Sequence, residues 1–141
     1  GIVQDEDYLQ KIKAKAEELG VAHRVHFAGT VSEAEKYWWL QNCALFLFPS
    51  LAEGFGLPVI EAMYFGRPVL LSNKTSLPEI GGTHASYLQS FEDNHLSEMC
   101  AKTIAAFTPE KSRNMQAWAK RFSWEAAAEA YWKIYKHVLH R

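Results

Sequence analysis

Cysteine is almost missing: Cys43 and Cys100 are the two in 141 residues. They stand far apart, without CxxC or Cys/His spacing, so they offer no zinc site and no disulfide framework. Both read as buried thiols of a reducing compartment. An excess of charge is missing too. Fifteen Lys and Arg against sixteen Asp and Glu leave a formal net charge of −1, so no basic field points to nucleic acid or to an anionic membrane. No run reaches the ~18 apolar residues of a membrane helix, and no signal-peptide pattern opens the chain. The six histidines are scattered, none with a partner at metal-ligand spacing. There is no GxxxxGK[ST] and no HExxH. There is no GxSxG either, and Ser50 is followed by Leu51 rather than by a nucleophile elbow.

What remains is 48% hydrophobic and 22% charged, ordinary values for a globular domain. The length suits about one domain, taken as residues 1–141, with enough chain to bury a core. Gly1-Ile2-Val3 leads almost at once into a helical pattern, as expected of a chain that starts inside a larger protein.

The pattern alternates. Tyr8, Leu9, Ile12, Ala16 and Leu19 share a helical face closed by Gly20. Residues 24–28 alternate polar and apolar, which predicts a strand. Ser32 and Glu35 form a capping box for a helix over 33–42. Residues 44–48 are a short apolar run closed by Pro49, which suits a strand buried on both faces. Pro58 is placed for the first turn of a helix ending near Gly66. Residues 68–71 predict a buried strand and 86–88 a further one. Asp93, Thr108 and Ser123 are candidate caps for three more helices. In the last of these, Trp124, Tyr131 and Tyr135 form an aromatic stripe that reads as core or interface rather than as a binding box. Strands alternating with helices at this spacing predict a three-layer α/β/α, Rossmann-like domain with a parallel sheet.

The informative stretch runs from Phe48 to Met63. It follows a strand and opens a helix, and open α/β sheets bind ligands at the carboxyl ends of strands. Gly54 and Gly56 let the backbone turn sharply and approach a ligand. The unpaired amides at the helix start then favour an anion such as a diphosphate. Glu53 stands before that helix and Glu61 about one turn inside it. A carboxylate accepts hydrogen bonds from neighbouring hydroxyls, as a ribose or hexose offers. The same two residues equally serve to favour a helix start through its dipole.

Together these residues resemble the C-terminal domain of the family 4 retaining glycosyltransferases. The resemblance rests on an ordered set over residues 25–81: Val25-His26-Phe27-Ala28-Gly29, Pro49-Ser50, Glu53 to Glu61, Glu61-Ala62-Met63, Gly66-Arg67-Pro68-Val69 and Ser76-Leu77-Pro78-Glu79. Phe122-Ser123-Trp124 is similar to the start of the family's closing helix. The resemblance implies the C-terminal half of a GT-B fold, two facing Rossmann-like domains with the nucleotide sugar held mainly by this one. By the same resemblance Glu61 takes the ribose hydroxyls, and backbone amides near Gly56 and Leu57 meet the diphosphate. Glu53, the candidate catalytic residue, borders the transferred sugar with Gly54 and Phe55, while Thr30 and Val31 touch the base. Retention of anomeric configuration is implied, with no cofactor and no essential metal.

The family's upstream Arg and Lys, which grip the diphosphate, have no counterpart in this sequence. The first strand of the domain and the acceptor domain are likewise expected outside it. The expected partners are a nucleotide-sugar donor and an acceptor domain of the same parent chain, with no nucleic acid. The expected location is the cytoplasm, any membrane contact at its inner face being made by the other domain. A non-catalytic nucleotide-binding or protein-interaction module of the same fold is the alternative. A flavodoxin-like receiver lacks support, since Asp5, Glu6 and Asp7 precede a helix, and no motif favours a sugar-nucleotide epimerase.

Overall fold

The computed structural model describes residues 5–139; the start at Gly1-Ile2-Val3 lies outside them. Among the described residues the order is α1 (Glu6–Glu18), α2 (Glu33–Asn42), β1 (Phe46–Phe48), α3 (Leu57–Tyr64), β2 (Val69–Ser72), α4 (Leu77–Gly81), β3 (Ser86–Leu88), α5 (Asp93–Ala105), α6 (Pro109–Ala119) and α7 (Trp124–Leu139). Single 3-10 turns lie at Ala22–Arg24 and Gly82–His84. The contacts divide the chain into two compact units, Gly1–Trp38 and Trp39–Arg141.

In the smaller unit, the Asp5 carboxylate caps α1 by accepting the N–H of Tyr8 at 2.8 Å. Glu6 and Asp7 in the first turn complement the helix dipole. The predicted box at α2 is complete. Glu35 accepts from the N–H and the hydroxyl of Ser32 at 2.8 and 2.7 Å, and the Ser32 hydroxyl accepts the Glu35 N–H at 3.3 Å. The Ser32 hydroxyl, and then its amide, hold the Glu35 carboxyl below its usual range. The strand predicted over 24–28 does not form. Its first residue ends a 3-10 turn, and among the described residues no strand pairs with the remainder. Alternation alone makes no strand without a ladder partner. Val25 and Phe27 stay about two-fifths exposed.

The larger unit carries a parallel sheet of order β1-β2-β3. Phe46 pairs with Val69 and Phe48 with Leu71, while Leu70 pairs with Ser86 and Ser72 with Leu88. Strand β2 lies in the middle and all four of its residues are buried. Strand β1 is shorter than predicted and is not buried on both faces. Phe46 and Phe48 stack at 5.7 Å and pack on the core, while Leu47 points the other way and is 37% exposed. Residues on opposite faces of a strand alternate, and here one face alone is covered.

The core joins Leu40, Val59, Ala62, Met63, Val69, Leu71, Leu77, Ile80, Met115 and Ala119. Two long-range hydrogen bonds tie helices into it. Trp118 Nε1 donates to the Ile80 carbonyl at 2.7 Å, and Ser112 Oγ to that of Gly66 at 2.9 Å. Thr108 caps α6 through the N–H of Lys111 at 3.2 Å, and Ser123 caps α7 through that of Ala126 at 3.1 Å. Asp93 is not a cap: it is already helical, and Glu92 precedes it without a side-chain cap. No described residue of α7 is buried, so its aromatic stripe is not core. Cys43 and Cys100 are free and partly rather than fully buried; that burial raises the Cys43 thiol's pKa. No helix among the described residues is long and apolar enough to cross a membrane.

Candidate functional site

Parallel strands end on the same side of their sheet, so the segments after β1 and β2 emerge side by side. The first runs from Pro49 to Gly56, and the second from Asn73 to Ser76. They are joined by hydrogen bonds across more than twenty positions. The backbone N–H of Glu53 donates to Thr75 Oγ1 at 3.0 Å. Ser76 Oγ reaches the carbonyls of Glu53 and Phe55, both at 3.2 Å. Ser72, fully buried at the end of β2, donates its hydroxyl to the Ser50 carbonyl. Three hydroxyl residues at the end of β2 and just after it therefore hold four backbone groups, on Ser50, Glu53 and Phe55, of the other segment.

Two positions in this site are conformationally special. Gly56 has φ 98 and ψ 44 and precedes α3. A Cβ there would stand 3.0 Å from Leu77 Cδ2, so both the dihedral and the packing require glycine. Gly54 differs from the sequence expectation: a Cβ there meets nothing within 4 Å, and its φ is not positive. The sharp turn belongs to Gly56 alone. Thr75 is the one non-glycine residue with positive φ among the described residues, at 49, and a β-branched side chain there is an outlier.

The start of α3 presents few amides. Pro58 has none, and that of Val59 is committed to the Gly56 carbonyl at 2.9 Å. This concentrates the donors that can meet an anion at Gly56 and Leu57, where the helix dipole also acts. Glu53 is half-buried beside Thr75 and Ser76, while Glu61 is half-buried within α3. Phe55 is 45% exposed and stands edge-on to Phe122 with centroids 6.0 Å apart. Leu57 is exposed at 60%.

Of the sequence-predicted residues, Glu53, Gly54, Phe55, Gly56, Leu57 and Glu61 thus lie on one turn and the helix that follows. Thr30 and Val31 lie in the smaller unit, just before α2, the first exposed and the second half-buried. Ser72 and Thr75 do not figure among the sequence-predicted site residues, and Ser76 enters only as part of the Ser76-Leu77-Pro78-Glu79 motif of the resemblance. A signal existed, since one hydroxyl residue ends, and two closely follow, a strand that neighbours the one carrying the site. Among the described residues no group of His, Cys, Asp and Glu is arranged to hold a metal ion.

The family described as glycosyl transferases group 1 matches residues 1–129. The chain is 33% identical over 107 residues to the alpha-1,3/1,6-mannosyltransferase ALG2 of Dictyostelium discoideum, covering 76% of this chain and 23% of that protein. It is 35% identical over 125 residues to the serotype-specific mannosyltransferase WbdA of Escherichia coli, covering 86% and 15%. The chain thus spans less than a quarter of the length of either relative. Among solved structures, Anabaena Alr3699/HepE, in complex with UDP and glucose, superposes with a TM-score of 0.77 at 24% identity, covering 96% of this chain and 37% of that one. The fold is the Rossmann-like α/β fold of GT-B glycosyltransferases.

Proposed function

The chain belongs to the family of glycosyl transferases group 1, and from that membership we propose that it is the donor-binding half of an enzyme. That enzyme transfers a sugar from a nucleotide sugar to an acceptor with retention of anomeric configuration. The observation that carries the reading is the turn at Gly56. It is a buried, left-handed glycine that opens α3 beside the carboxyl end of β1, where the amides of Gly56 and Leu57 and the helix dipole favour an anion.

In this reading the diphosphate lies against the N–H groups of Gly56 and Leu57. The charge that grows on it as the sugar departs is met by fixed dipoles that need no reorganisation. The scheme calls for no cofactor and no metal. Glu61 accepts the ribose hydroxyls, each such charge-assisted bond being worth roughly 1.5–3 kcal/mol. Glu53 borders the transferred sugar with Gly54 and Phe55 and is the candidate catalytic residue. The backbone of Glu53 is tethered at both its N–H and its carbonyl, which suits a group whose position decides the geometry of transfer. Both relatives are named mannosyltransferases, which makes mannose the first sugar to try; the HepE complex, with UDP and glucose, supports a nucleoside diphosphate as the carrier. The acceptor is held by another lobe of the same polypeptide, on the cytoplasmic side.

The test uses the full-length protein with GDP-mannose or UDP-glucose and a panel of sugar and lipid-linked acceptors. Product whose anomeric signal by NMR matches that of the donor supports the reading. Nucleotide-sugar binding without any transfer marks a non-catalytic module, and product of inverted configuration overturns the retaining assignment.

A further inference from the structure

A second candidate site lies at the opposite end of the sheet. A cavity of about 330 Å³ opens between α5, α6 and the first residues of the strands. Val69 and Ser86 begin β2 and β3, and these strands are parallel. The cavity is therefore at their amino ends, away from the segments that carry Glu53 and Gly56.

Its chemistry is one-sided. Among its twelve lining residues are Lys111, His84, Asn114 and the hydroxyl residues Thr83, Ser86 and Thr103, but no Asp or Glu. Phe107, Met115 and Val69 supply an apolar wall. Lys111 is held in place: its Nζ donates to the carbonyl of Ala106, another lining residue, at 2.8 Å. One buried polar group is the informative one. Thr103 is 8% exposed, and its Oγ1 is buried without any hydrogen-bond partner. Buried hydroxyls are nearly always paired, so an orphan on a residue that lines a cavity points to a partner that enters from outside. The volume is that of a small-molecule pocket. Cation, amide and hydroxyls together suit a ligand with a negative end and a hydroxylated body.

We propose that this cavity binds a small hydroxylated anion of the size of a sugar phosphate. The anionic group lies towards Lys111, and a hydroxyl of the ligand completes Thr103. This site is separate from the donor site and does not depend on its assignment.

The experiment titrates the full-length protein, by calorimetry, with glucose 6-phosphate, glucose and inorganic phosphate, each with and without saturating GDP or UDP. Glucose 6-phosphate is expected to bind with a Kd of about 1 mM or tighter, more tightly than either glucose or phosphate, and undiminished by the nucleotide. Lys111→Met is expected to weaken it roughly tenfold and Thr103→Val about three- to tenfold. Thr103→Val also tests the site without ligand: removal of an unpaired hydroxyl leaves the melting temperature equal or higher. Four results overturn the proposal. They are no binding of any probe at about 10 mM, displacement by the nucleotide, indifference to both substitutions, and a Thr103→Val protein that melts lower because the hydroxyl was paired internally. Phosphate binding as tight as that of glucose 6-phosphate overturns the role of the hydroxyls.

Discussion

The hydroxyl of Thr75 accepts the backbone N–H of Glu53 at 3.0 Å, across 22 positions of sequence. Thr75 makes this bond from a left-handed backbone, φ 49, a conformation that costs of the order of 1–3 kcal/mol and persists where surrounding structure imposes it. Its neighbour Ser76 binds the carbonyls of Glu53 and Phe55. The segment after β2 is thus the support on which the turn after β1 rests.

Thr75→Val keeps the branched shape and removes the acceptor. Stability is expected to fall by about 0.5–1.5 kcal/mol, and nucleotide-sugar affinity several-fold, while Thr75→Ser restores both. Urea denaturation and calorimetry on the three proteins decide it. A valine variant that binds like wild type would show that the tether does not position the turn.

Gly56 and Gly54 are expected to respond differently to the same substitution. At Gly56 an alanine meets Leu77 at 3.0 Å with φ 98, a penalty of roughly 1–2 kcal/mol from the dihedral alone, and valine is worse. At Gly54 the Cβ enters open space, so alanine should stay within about 0.5 kcal/mol of wild type. Denaturation midpoints of Gly54→Ala, Gly56→Ala and Gly56→Val give the ranking directly.

Leu71 is fully buried in the middle strand, paired with Phe48 on one side and Tyr87 on the other. Leu71→Ala should cost about 2–5 kcal/mol through lost burial and the cavity left behind. A loss below about 1 kcal/mol by urea denaturation would show that β2 is not the centre of the core.

Tyr87 links stability to alkaline pH. Its hydroxyl donates to the Gly82 carbonyl at 2.7 Å, and burial raises its pKa above the ordinary value for a phenol. The folded protein therefore holds the proton at pH values where the unfolded chain has released it. Stability from this group is full below the ordinary phenol pKa of about 10 and is lost as pH rises through the folded value. Urea denaturation across about pH 8 to 11 should show that decline in wild type and a shallower one in Tyr87→Phe.

Local signals were legible in the sequence and tertiary ones were not. The Ser32–Glu35 box, the Thr108 and Ser123 caps and the start of α3 all depend on residues within four positions, and each formed as read. The middle strand was legible through Val69, Leu70 and Leu71, since a strand covered on both faces is mostly apolar, while the buried Ser72 at its end was not. Residues 24–28 misled because a strand needs a partner, and alternation carries no information about one. Gly54 misled because a glycine's letter does not reveal which of two neighbours takes the positive φ. The Thr75–Glu53 tether was invisible for a simpler reason: it joins two segments that only the parallel register of β1 and β2 brings together. The apolar face of α7 was legible as a face, but not as one left exposed.

The central claim is that the turn 53–57 and helix α3 hold a nucleotide sugar. Calorimetric titration of the full-length protein with GDP-mannose and UDP-glucose, in wild type and Glu61→Ala, tests it most directly. The account predicts saturable binding of at least one donor by wild type, weakened about ten- to a hundredfold in the variant, with the melting temperature of the unliganded protein little changed. Equal affinity in the two proteins would contradict it.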